Sequence, residues 1–203
     1  MKIAHRGYKY IDNSILAFEN AIKEGFDMIE LDIQLCKSGE IIIYHDIVIN
    51  NRYIIDISLE ELRKFNIITF DEFLTKIDIT KVKICLDLKG CDRLADILMV
   101  YLDNIDLTNI YIGSFNRKHL HKLFNKNFKL GYITENCFTN DEIDILTKNM
   151  TFISFEWSNI DQDMINYCKS KGLLVFVYTI KNISEYELLS NFEIDGFISD
   201  IKI

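Results

Sequence analysis

Two acidic side chains share one face of a short apolar stretch near the start of the chain. In Ile29-Glu30-Leu31-Asp32-Ile33 aliphatic and acidic residues alternate, and in a β-strand this places Glu30 and Asp32 on one face and the aliphatics on the other. The strand rise sets the two carboxylates roughly 7 Å apart. We expect the aliphatic face to pack against helices, so that the acids point inward, where unpaired charge is costly.

A third acid occurs in the same kind of pattern. Asp87 and Lys89 alternate with leucines in Leu86-Asp87-Leu88-Lys89. Three converging carboxylates repel one another and raise their own pKa values unless a cation lies between them. A hard divalent ion with oxygen ligands removes that conflict, although a lone Glu-x-Asp pair is more often a solvated strand face. Glu30, Asp32 and Asp87 are therefore candidate metal ligands.

Two of the four histidines end predicted strands. His5 and His45 each follow a short apolar run, and imidazoles titrate near neutral pH, which suits general acid and base catalysis. These two are the candidate catalytic residues. His119 and His121 lie in a lysine-rich helical segment and are predicted to be surface residues.

Positive charge accompanies these groups. Arg6 follows His5 directly, and Lys89 follows Asp87 by two residues. Cations beside a metal site favour an anionic ligand, so Arg6 and Lys89 are candidates to bind a phosphate group. Asp46 is predicted to be a loop or helix-capping residue rather than a ligand.

The elements that must position these side chains are short β-type runs that alternate with helical stretches along the whole chain. Nine strands are predicted, at Lys2–His5, Met28–Leu35, Ile41–His45, Lys83–Leu88, Asn109–Phe115, Phe128–Ile133, Phe152–Phe155, Leu173–Thr179 and Asp195–Ser199. Only residues 36–40 separate the second run from the third, which is too short for a crossover helix. One βα unit must be irregular there.

Helix signals support the alternation. One helix is predicted to begin near Asn13 or Ser14 and to end at Gly25, and Ser58 with Glu61 forms a capping-box pattern for another. Strands followed by helices predict an α/β fold, a (β/α)8 TIM barrel, in which functional groups lie at the C-terminal strand ends. An open doubly wound sheet is the alternative.

Composition limits the classes of function. The chain has 203 residues, 49% of them hydrophobic, and a formal charge of -8, which predicts one domain over residues 1–203 and disfavours nucleic acid or an anionic membrane as a partner. Met1–Arg6 lacks the pattern of a secretory leader or membrane span. Five scattered cysteines are predicted to be reduced thiols. We expect a cytoplasmic enzyme.

Several segments together resemble the glycerophosphodiester phosphodiesterase family. They are His5-Arg6-Gly7, Asp12-Asn13-Ser14, Glu30-Leu31-Asp32, His45-Asp46, Asp87-Leu88-Lys89, Val177-Tyr178-Thr179 and Asp195-Gly196-Phe197-Ile198-Ser199-Asp200. Each segment alone is weak evidence for the family, but the order and spacing of the segments are specific. Together the segments span nearly the whole chain. The resemblance implies a barrel, a Mg²⁺ or Ca²⁺ cofactor, two catalytic histidines, and hydrolysis of small glycerophosphodiesters to glycerol 3-phosphate and an alcohol.

The chain departs from the family pattern at several points. Asp12, a shorter acid beside Arg6, stands where the family has Glu. Asp87 stands where the family's third metal ligand is commonly Glu. The segment from Ile47 to Ile68, where the family carries a small inserted subdomain, is brief. We therefore expect a barrel with a short or missing inserted subdomain.

Two other functions stay open at this point. A sphingomyelinase D-like or lysophospholipase D-like enzyme would use the same groups on a lipid, although the sequence shows no amphipathic element to dock on a bilayer. An inactive barrel that binds phospholipid headgroups is the other, and the intact histidines and acids argue against it. Three aromatic residues near predicted strand ends are candidates to line the substrate pocket, although aromatic residues at strand ends are at least as often part of the core; they are Phe155, Trp157 and Tyr178. The alcohol, the metal, the order of acid and base and the oligomeric state are left open.

Overall fold

The fold is a closed barrel of eight parallel strands. The computed structural model describes residues 1–103, 105–124 and 127–203. Its strands are β1 (Lys2–Ala4), β2 (Met28–Leu35), β3 (Ile41–Ile43), β4 (Val48–Ile49), β5 (Arg52–Tyr53), β6 (Ile68–Thr69), β7 (Lys83–Leu88), β8 (Ile110–Ser114), β9 (Lys129–Thr134), β10 (Phe152–Glu156), β11 (Leu174–Ile180) and β12 (Gly196–Ser199). The barrel runs β1-β2-β7-β8-β9-β10-β11-β12, and β1 pairs with both β2 and β12 to close it. The predicted TIM barrel is confirmed, and the open sheet is wrong.

Helices connect successive barrel strands. They are α1 (Ile15–Lys23), α2 (Leu59–Leu62), α3 (Phe70–Lys76), α4 (Arg93–Leu102), α5 (Arg117–Leu123), α6 (Asn140–Leu146), α7 (Gln162–Ser170) and α8 (Ile183–Leu189). Ser14 caps α1 by accepting a hydrogen bond from the Ala17 amide, and Ser58 with Glu61 forms the predicted capping box of α2. Gly25 has a φ of +82°, the left-handed conformation that commonly ends a helix.

The irregular unit lies between β2 and β7. The extra predicted strand, β3, pairs antiparallel with the end of β2, so that Gln34 lies opposite Ile42, and β6 pairs antiparallel with β3. Residues 41–69 thus form an excursion outside the barrel, which also carries the β4–β5 hairpin and α2. The crossover to β7 is completed by α3, which the sequence analysis missed.

Apolar side chains fill both surfaces of the barrel wall. On the outside, Ile29, Leu31 and Ile33 are fully buried together with Phe18 and Phe73 from the helices, as the alternation in β2 predicts. Inside, one layer closes the N-terminal end of the barrel. We call this layer the floor, and it consists of Ile3, Met28, Cys85, Tyr111, Phe152, Phe176 and Ile198.

Glycines in the strands make room for the large rings of the floor. A Cβ added to Gly131 on β9 would lie 2.2 Å from the Phe152 ring, so the ring occupies the space of a missing side chain. In the part of the chain that the structure describes, none of the helices is both long enough and apolar enough to span a membrane.

Candidate active site

One cavity at the C-terminal end of the barrel brings together every residue singled out for chemistry. It encloses about 220 Å³. Its walls include His5, Arg6, Glu30, Asp32, His45, Asp87 and Lys89. They come from the ends of β1, β2 and β7 and from the segment after β3, which is where a barrel of this type carries its functional groups.

Three carboxylates form the centre of the cavity. Asp32 and Asp87 lie opposite each other on adjacent strands, and one oxygen each from Glu30, Asp32 and Asp87 lie within 4.8 Å of one another. All three side chains are buried. Burial and the charges of Asp32 and Asp87 raise the pKa of Glu30 well above its usual range. Burial also raises the pKa of Asp87 to about 7, against the opposing charge of Lys89.

This donor set fits a hard divalent cation. All the converging ligand atoms are carboxylate oxygens, which Mg²⁺ and Ca²⁺ prefer. Oδ1 of Asp87 is buried and has no hydrogen-bond partner among the described residues, although a buried polar atom is normally paired. A cation between the three acids would satisfy that oxygen and offset their repulsion.

Two side-chain cations border the carboxylates. Nζ of Lys89 lies 2.6 Å from Asp87 Oδ2 and 3.4 Å from Asp32 Oδ1. Nε of Arg6 lies 3.1 Å from Asp32 Oδ2, whereas its contact with Asp12 is longer, at 3.6 Å. The shorter acid at position 12 therefore makes a looser contact with Arg6 than the buried Asp32 does.

A tight turn after β1 holds Arg6 in place. Arg6 and Gly7 have φ values of +56° and +93°, and a Cβ on Gly7 would lie 2.6 Å from the Ala17 Cβ. Only glycine fits this approach to α1 without displacement. The amide of Arg6 donates a hydrogen bond to Glu30 Oε2 over 3.0 Å, so the turn is bonded directly to the carboxylate cluster.

Asn13 ties the same loop to β2, a role that the sequence analysis did not assign. Its side-chain amide donates to Asp32 Oδ2 over 2.9 Å and its Oδ1 accepts from the Asp32 amide over 3.3 Å. Asp32 is therefore held by Asn13, Arg6 and Lys89 together.

Each imidazole in the cavity is oriented by a carboxylate. Nδ1 of His5 lies 2.6 Å from Asp200 Oδ1, and Nδ1 of His45 lies 2.7 Å from Asp46 Oδ1. In the neutral ring this places the proton on Nδ1 and leaves the lone pair on Nε2. Asp46 is thus a loop residue, as predicted, with a partner that the sequence did not reveal. Asp200 occurs in the final strand motif, but its pairing with His5 joins the two ends of the chain.

Gln34 fixes the segment that carries His45. Its side-chain amide donates to the carbonyl oxygens of Tyr44 and Asp46 over 2.7 and 2.9 Å. One side chain at the C-terminal end of β2 thus bonds to the residues on both sides of His45.

The opposite wall is partly aromatic. Tyr178 lines the cavity, as predicted, together with Phe115, Glu135 and Ser154. The predictions for Phe155 and Trp157 are wrong, because they pack in outer clusters. Strand parity explains this, since Phe152 and Ser154 point inward on β10 and Phe155 points outward.

The prediction that His119 is a surface residue is wrong. The side chain is fully buried, with Nδ1 3.0 Å from Ser114 Oγ and Nε2 3.1 Å from the Cys91 carbonyl oxygen. Burial lowers its pKa below the usual value. It therefore links α5 to the ends of β7 and β8, whereas His121 is exposed as predicted.

Comparison with known proteins identifies the family. Residues 5–123, more than half of the chain, match the sequence model of the glycerophosphoryl diester phosphodiesterase family. The chain belongs to this family. It is accordingly a phosphoric diester hydrolase, and the resemblance seen in its motifs is confirmed.

Two relatives and one solved structure cover between 71% and 98% of this chain. A glycerophosphodiester phosphodiesterase of Caldanaerobacter subterraneus is 26% identical, with 98% of this chain and 93% of the relative covered. A human lysophospholipase D is 27% identical over 71% of this chain and 50% of its own length. A phosphodiesterase of Oleispira antarctica, solved with sn-glycerol-3-phosphate, superimposes with a TM-score of 0.87 at 21% identity, covering 98% and 92% of the two chains. That structure supports the barrel fold.

Proposed function

We propose that this chain hydrolyses glycerophosphodiesters to glycerol 3-phosphate and an alcohol, as one domain, with a divalent ion and two histidines. The observation that carries the proposal is that both imidazoles, the three carboxylates and both cations line one cavity. The relative from Caldanaerobacter is named for this activity. The product bound to the Oleispira enzyme is the one that this reaction would release.

Glu30, Asp32 and Asp87 would hold the ion. When bound, a Mg²⁺ or Ca²⁺ ion would supply positive charge to a phosphodiester oxygen and stabilise the transition state electrostatically. Lys89 contacts Asp32 and Asp87, and Arg6 contacts Asp32, so these positive charges offset part of the repulsion among the buried carboxylates. The same two cations would contact the remaining phosphate oxygens.

His5 and His45 would move the protons. One Nε2 would accept a proton from the attacking glycerol 2-hydroxyl or from water, and the other imidazole, in its protonated form, would protonate the leaving alkoxide. Attack by the 2-hydroxyl would give a cyclic phosphate, and water would then open that ring to glycerol 3-phosphate with the two proton transfers reversed. Asp200 and Asp46 hold the two rings through Nδ1, so each ring turns a defined nitrogen to the substrate. The floor closes the cavity from below and limits the water that reaches the reacting groups.

A turnover screen tests the proposal. The purified chain would be assayed on several glycerophosphodiesters with Mg²⁺, with Ca²⁺ and with EDTA, and glycerol 3-phosphate would be measured directly. We expect turnover with an ion, loss of turnover with EDTA and recovery when excess ion is restored. Absence of glycerol 3-phosphate with every substrate and ion would contradict the proposal, and full turnover in EDTA would remove the ion from it.

One observation favours a lysophospholipid substrate as a second candidate. A recess lined by His45, Asp46, Ile47, Val48 and Lys89 adjoins the cavity, and it meets a second groove at Ile47. Ile47 and Tyr53 belong to the excursion between β2 and β7, and their side chains are 51% and 59% exposed. An acyl chain on the glycerol could cover this apolar surface, which the sequence analysis did not detect.

Choline release from lysophosphatidylcholine and from glycerophosphocholine separates the two candidates. If the acyl chain lies along the excursion, Ile47→Ser lowers the ratio of choline release from lysophosphatidylcholine to choline release from glycerophosphocholine. Leu188→Ser, at an exposed position on α8, is the control and leaves the ratio unchanged. Lack of any release from lysophosphatidylcholine would exclude the second candidate.

A further inference from the structure

The loop between β7 and α4 carries Lys89, one of the two side-chain cations of the cavity. It spans residues 89–92 and includes Gly90, whose φ of +70° is a left-handed conformation that glycine adopts without steric cost. Glycine also loses more conformational freedom on folding than any other residue, so ordering this backbone is entropically unfavourable. Contacts from neighbouring elements must therefore fix the position of Lys89.

Two buried side chains bond to the backbone on either side of Lys89. The Ser114 hydroxyl, at the end of β8, donates a hydrogen bond to the Leu88 carbonyl oxygen over 2.8 Å. Nε2 of His119, on α5, lies 3.1 Å from the Cys91 carbonyl oxygen. Because a carbonyl oxygen only accepts hydrogen bonds, Nε2 carries the proton. Both side chains are fully buried. The backbone is thus held one residue before Lys89 and two residues after it.

Ser114 and His119 also contact each other. Nδ1 of His119 lies 3.0 Å from Ser114 Oγ, so the hydroxyl proton lies between two acceptors, Nδ1 and the Leu88 carbonyl oxygen. Asp92 Oδ1 lies 4.0 Å from Nε2, and a serine, a histidine and an aspartate also form the catalytic triad of many hydrolases. In that triad the aspartate contacts Nδ1 and the serine contacts Nε2, the reverse of the arrangement here. Ser114 also has no exposed surface and does not line the cavity. The pair therefore bonds to backbone and does not meet a substrate.

The residue after Ser114 contacts the side chain of Lys89 itself. Nζ of Lys89 lies 5.0 Å from the centroid of the Phe115 ring, within the range of a cation–π contact, and 2.6 Å from Asp87 Oδ2. The Lys89 side chain is only 14% exposed, so it has little freedom to compensate for a shift of its backbone. One segment, residues 114–119, thus supports both the backbone and the ammonium group of Lys89.

We propose that Ser114 and His119 are positioning residues for phosphate binding: they hold the backbone around Lys89 so that its ammonium group faces the substrate phosphate. Neither side chain touches the substrate. The inference rests on the proposed function and assigns to it two residues outside the cavity wall. The alternative is that the pair only packs α5 against the barrel, in which case its removal lowers stability and leaves catalysis unchanged.

A kinetic test removes and then restores the donor to the Cys91 carbonyl oxygen. His119→Leu should lower kcat/KM on glycerophosphocholine by about tenfold, mainly through a higher KM, because a displaced ammonium group binds the phosphate less well. His119→Gln places an amide N–H near the position of Nε2 and should recover most of the loss. Ser114→Ala removes a single hydroxyl, should lower kcat/KM by a smaller factor, and decides the test if His119→Leu does not fold.

Thr147→Val is the matched control for these variants. The Thr147 hydroxyl is buried and donates to the Ile143 carbonyl oxygen over 2.7 Å at the end of α6, but the residue does not line the cavity. Its loss should lower the unfolding midpoint and leave kcat/KM unchanged.

An NMR measurement reports the position of Lys89 without turnover. The ring current of Phe115 shifts the signals of nearby lysine methylene groups, and Lys89→Met identifies the Lys89 signals by their disappearance. We expect His119→Leu and Ser114→Ala to move these signals, and His119→Gln to keep them close to their wild-type positions. Thr147→Val should leave them unchanged.

The outcomes separate this inference from the proposed function. If the wild type releases no glycerol 3-phosphate from any glycerophosphodiester, the proposed function fails, and the NMR comparison still shows whether the pair holds Lys89. If the wild type is active and both His119→Leu and Ser114→Ala keep its kcat/KM, the positioning role is overturned and the hydrolase activity stands. The same conclusion follows if Thr147→Val reproduces the loss or if His119→Gln does not recover it.

Discussion

The two ends of the barrel interior are built on the same strands and have opposite chemistry. The floor consists of side chains such as Ile3, Met28 and Cys85. Two residues further along the same strands lie His5, Glu30 and Asp87, at the inner wall of the cavity. Because alternate residues share a face, a single step along each strand changes the interior from apolar to ionisable.

This difference shows how the apolar end of the interior changes the pKa values of the acids at the charged end. The floor is closed by stacked rings, with Phe152 and Phe176 at a centroid distance of 4.9 Å, and it covers the acids on that side of the cavity. Burial is consequently the leading cause of the raised pKa values of Glu30 and Asp87. The floor contributes stability, whereas the buried acids above it, Glu30, Asp32 and Asp87, lower the stability of the fold for the sake of function.

The largest effect is expected at the charged end. His5→Ala and His45→Ala should each lower kcat by about 10²–10⁴-fold, the usual contribution of a general acid or base. Unfolding midpoints should stay close to that of the wild type, because both side chains lie at the cavity mouth. His121→Ala, on the exposed face of α5, is the control. Full turnover in both variants on glycerophosphocholine would contradict the assignment.

Truncation of the floor should mainly cost stability. Phe152→Ala is expected to lower the free energy of unfolding by about 3–5 kcal/mol, since a fully buried ring leaves a cavity. Phe155→Ala, three residues along β10 and equally buried on the outer face, should cost a similar amount. Denaturant titration gives both values. Only the Phe152 variant should also lower kcat/KM, because that ring lines the active-site cavity; equal kinetics would contradict the comparison.

Removal of one charge from the cluster should have a smaller and opposite effect on stability. Glu30→Gln is expected to raise the unfolding free energy without divalent ions by about 1 kcal/mol, because it relieves repulsion among buried acids. Mg²⁺ or Ca²⁺ should stabilise the wild type more than the variant. Glu19→Gln on the exposed side of α1 is the control. If Glu30→Gln lost more stability than Glu19→Gln in the absence of divalent ions, the prediction would be wrong.

The smallest effect is expected outside the barrel interior, at His119 on α5, and it concerns the pH dependence of stability. Its pKa is lowered in the folded chain, so the unfolded chain binds more protons as the pH falls below about 6.5. The stabilising effect of the neutral ring is present above that pH and is lost as the pH falls towards the lowered pKa. His119→Gln should flatten this slope in unfolding free energy, and His121→Gln should not. An unchanged slope in His119→Gln would show that another group causes it.

Much of the barrel could be predicted because its signals are local. The acidic and aliphatic alternation in β2 gave both the strand and the direction of its acids. Other local signals were overlooked. Thr69 and Glu72 form a capping box for α3, and Asn50-Asn51 with φ values of +48° and +60° is a typical tight hairpin turn between β4 and β5.

What could not be predicted depends on contacts between distant parts of the chain. Residue types indicated His5 and His45, but the pairing of His5 with Asp200 exists only after the barrel closes. The buried position of His119 follows from the face of α5 that packs on the barrel, together with Leu120 and Leu123. A lysine-rich helix does not reveal that face. The expected lack of a nucleic-acid partner stays a prediction.

The excursion between β2 and β7 gives the two histidines different attachments. His5 directly follows the barrel strand β1, whereas His45 lies in a segment outside the barrel whose backbone carbonyls at Tyr44 and Asp46 accept hydrogen bonds from Gln34. Under the proposed mechanism, local opening of that segment would remove one of the two proton-transferring groups while the acids, the cations and the other imidazole stayed in place. Such an opening would stop turnover while the eight-stranded barrel remained folded.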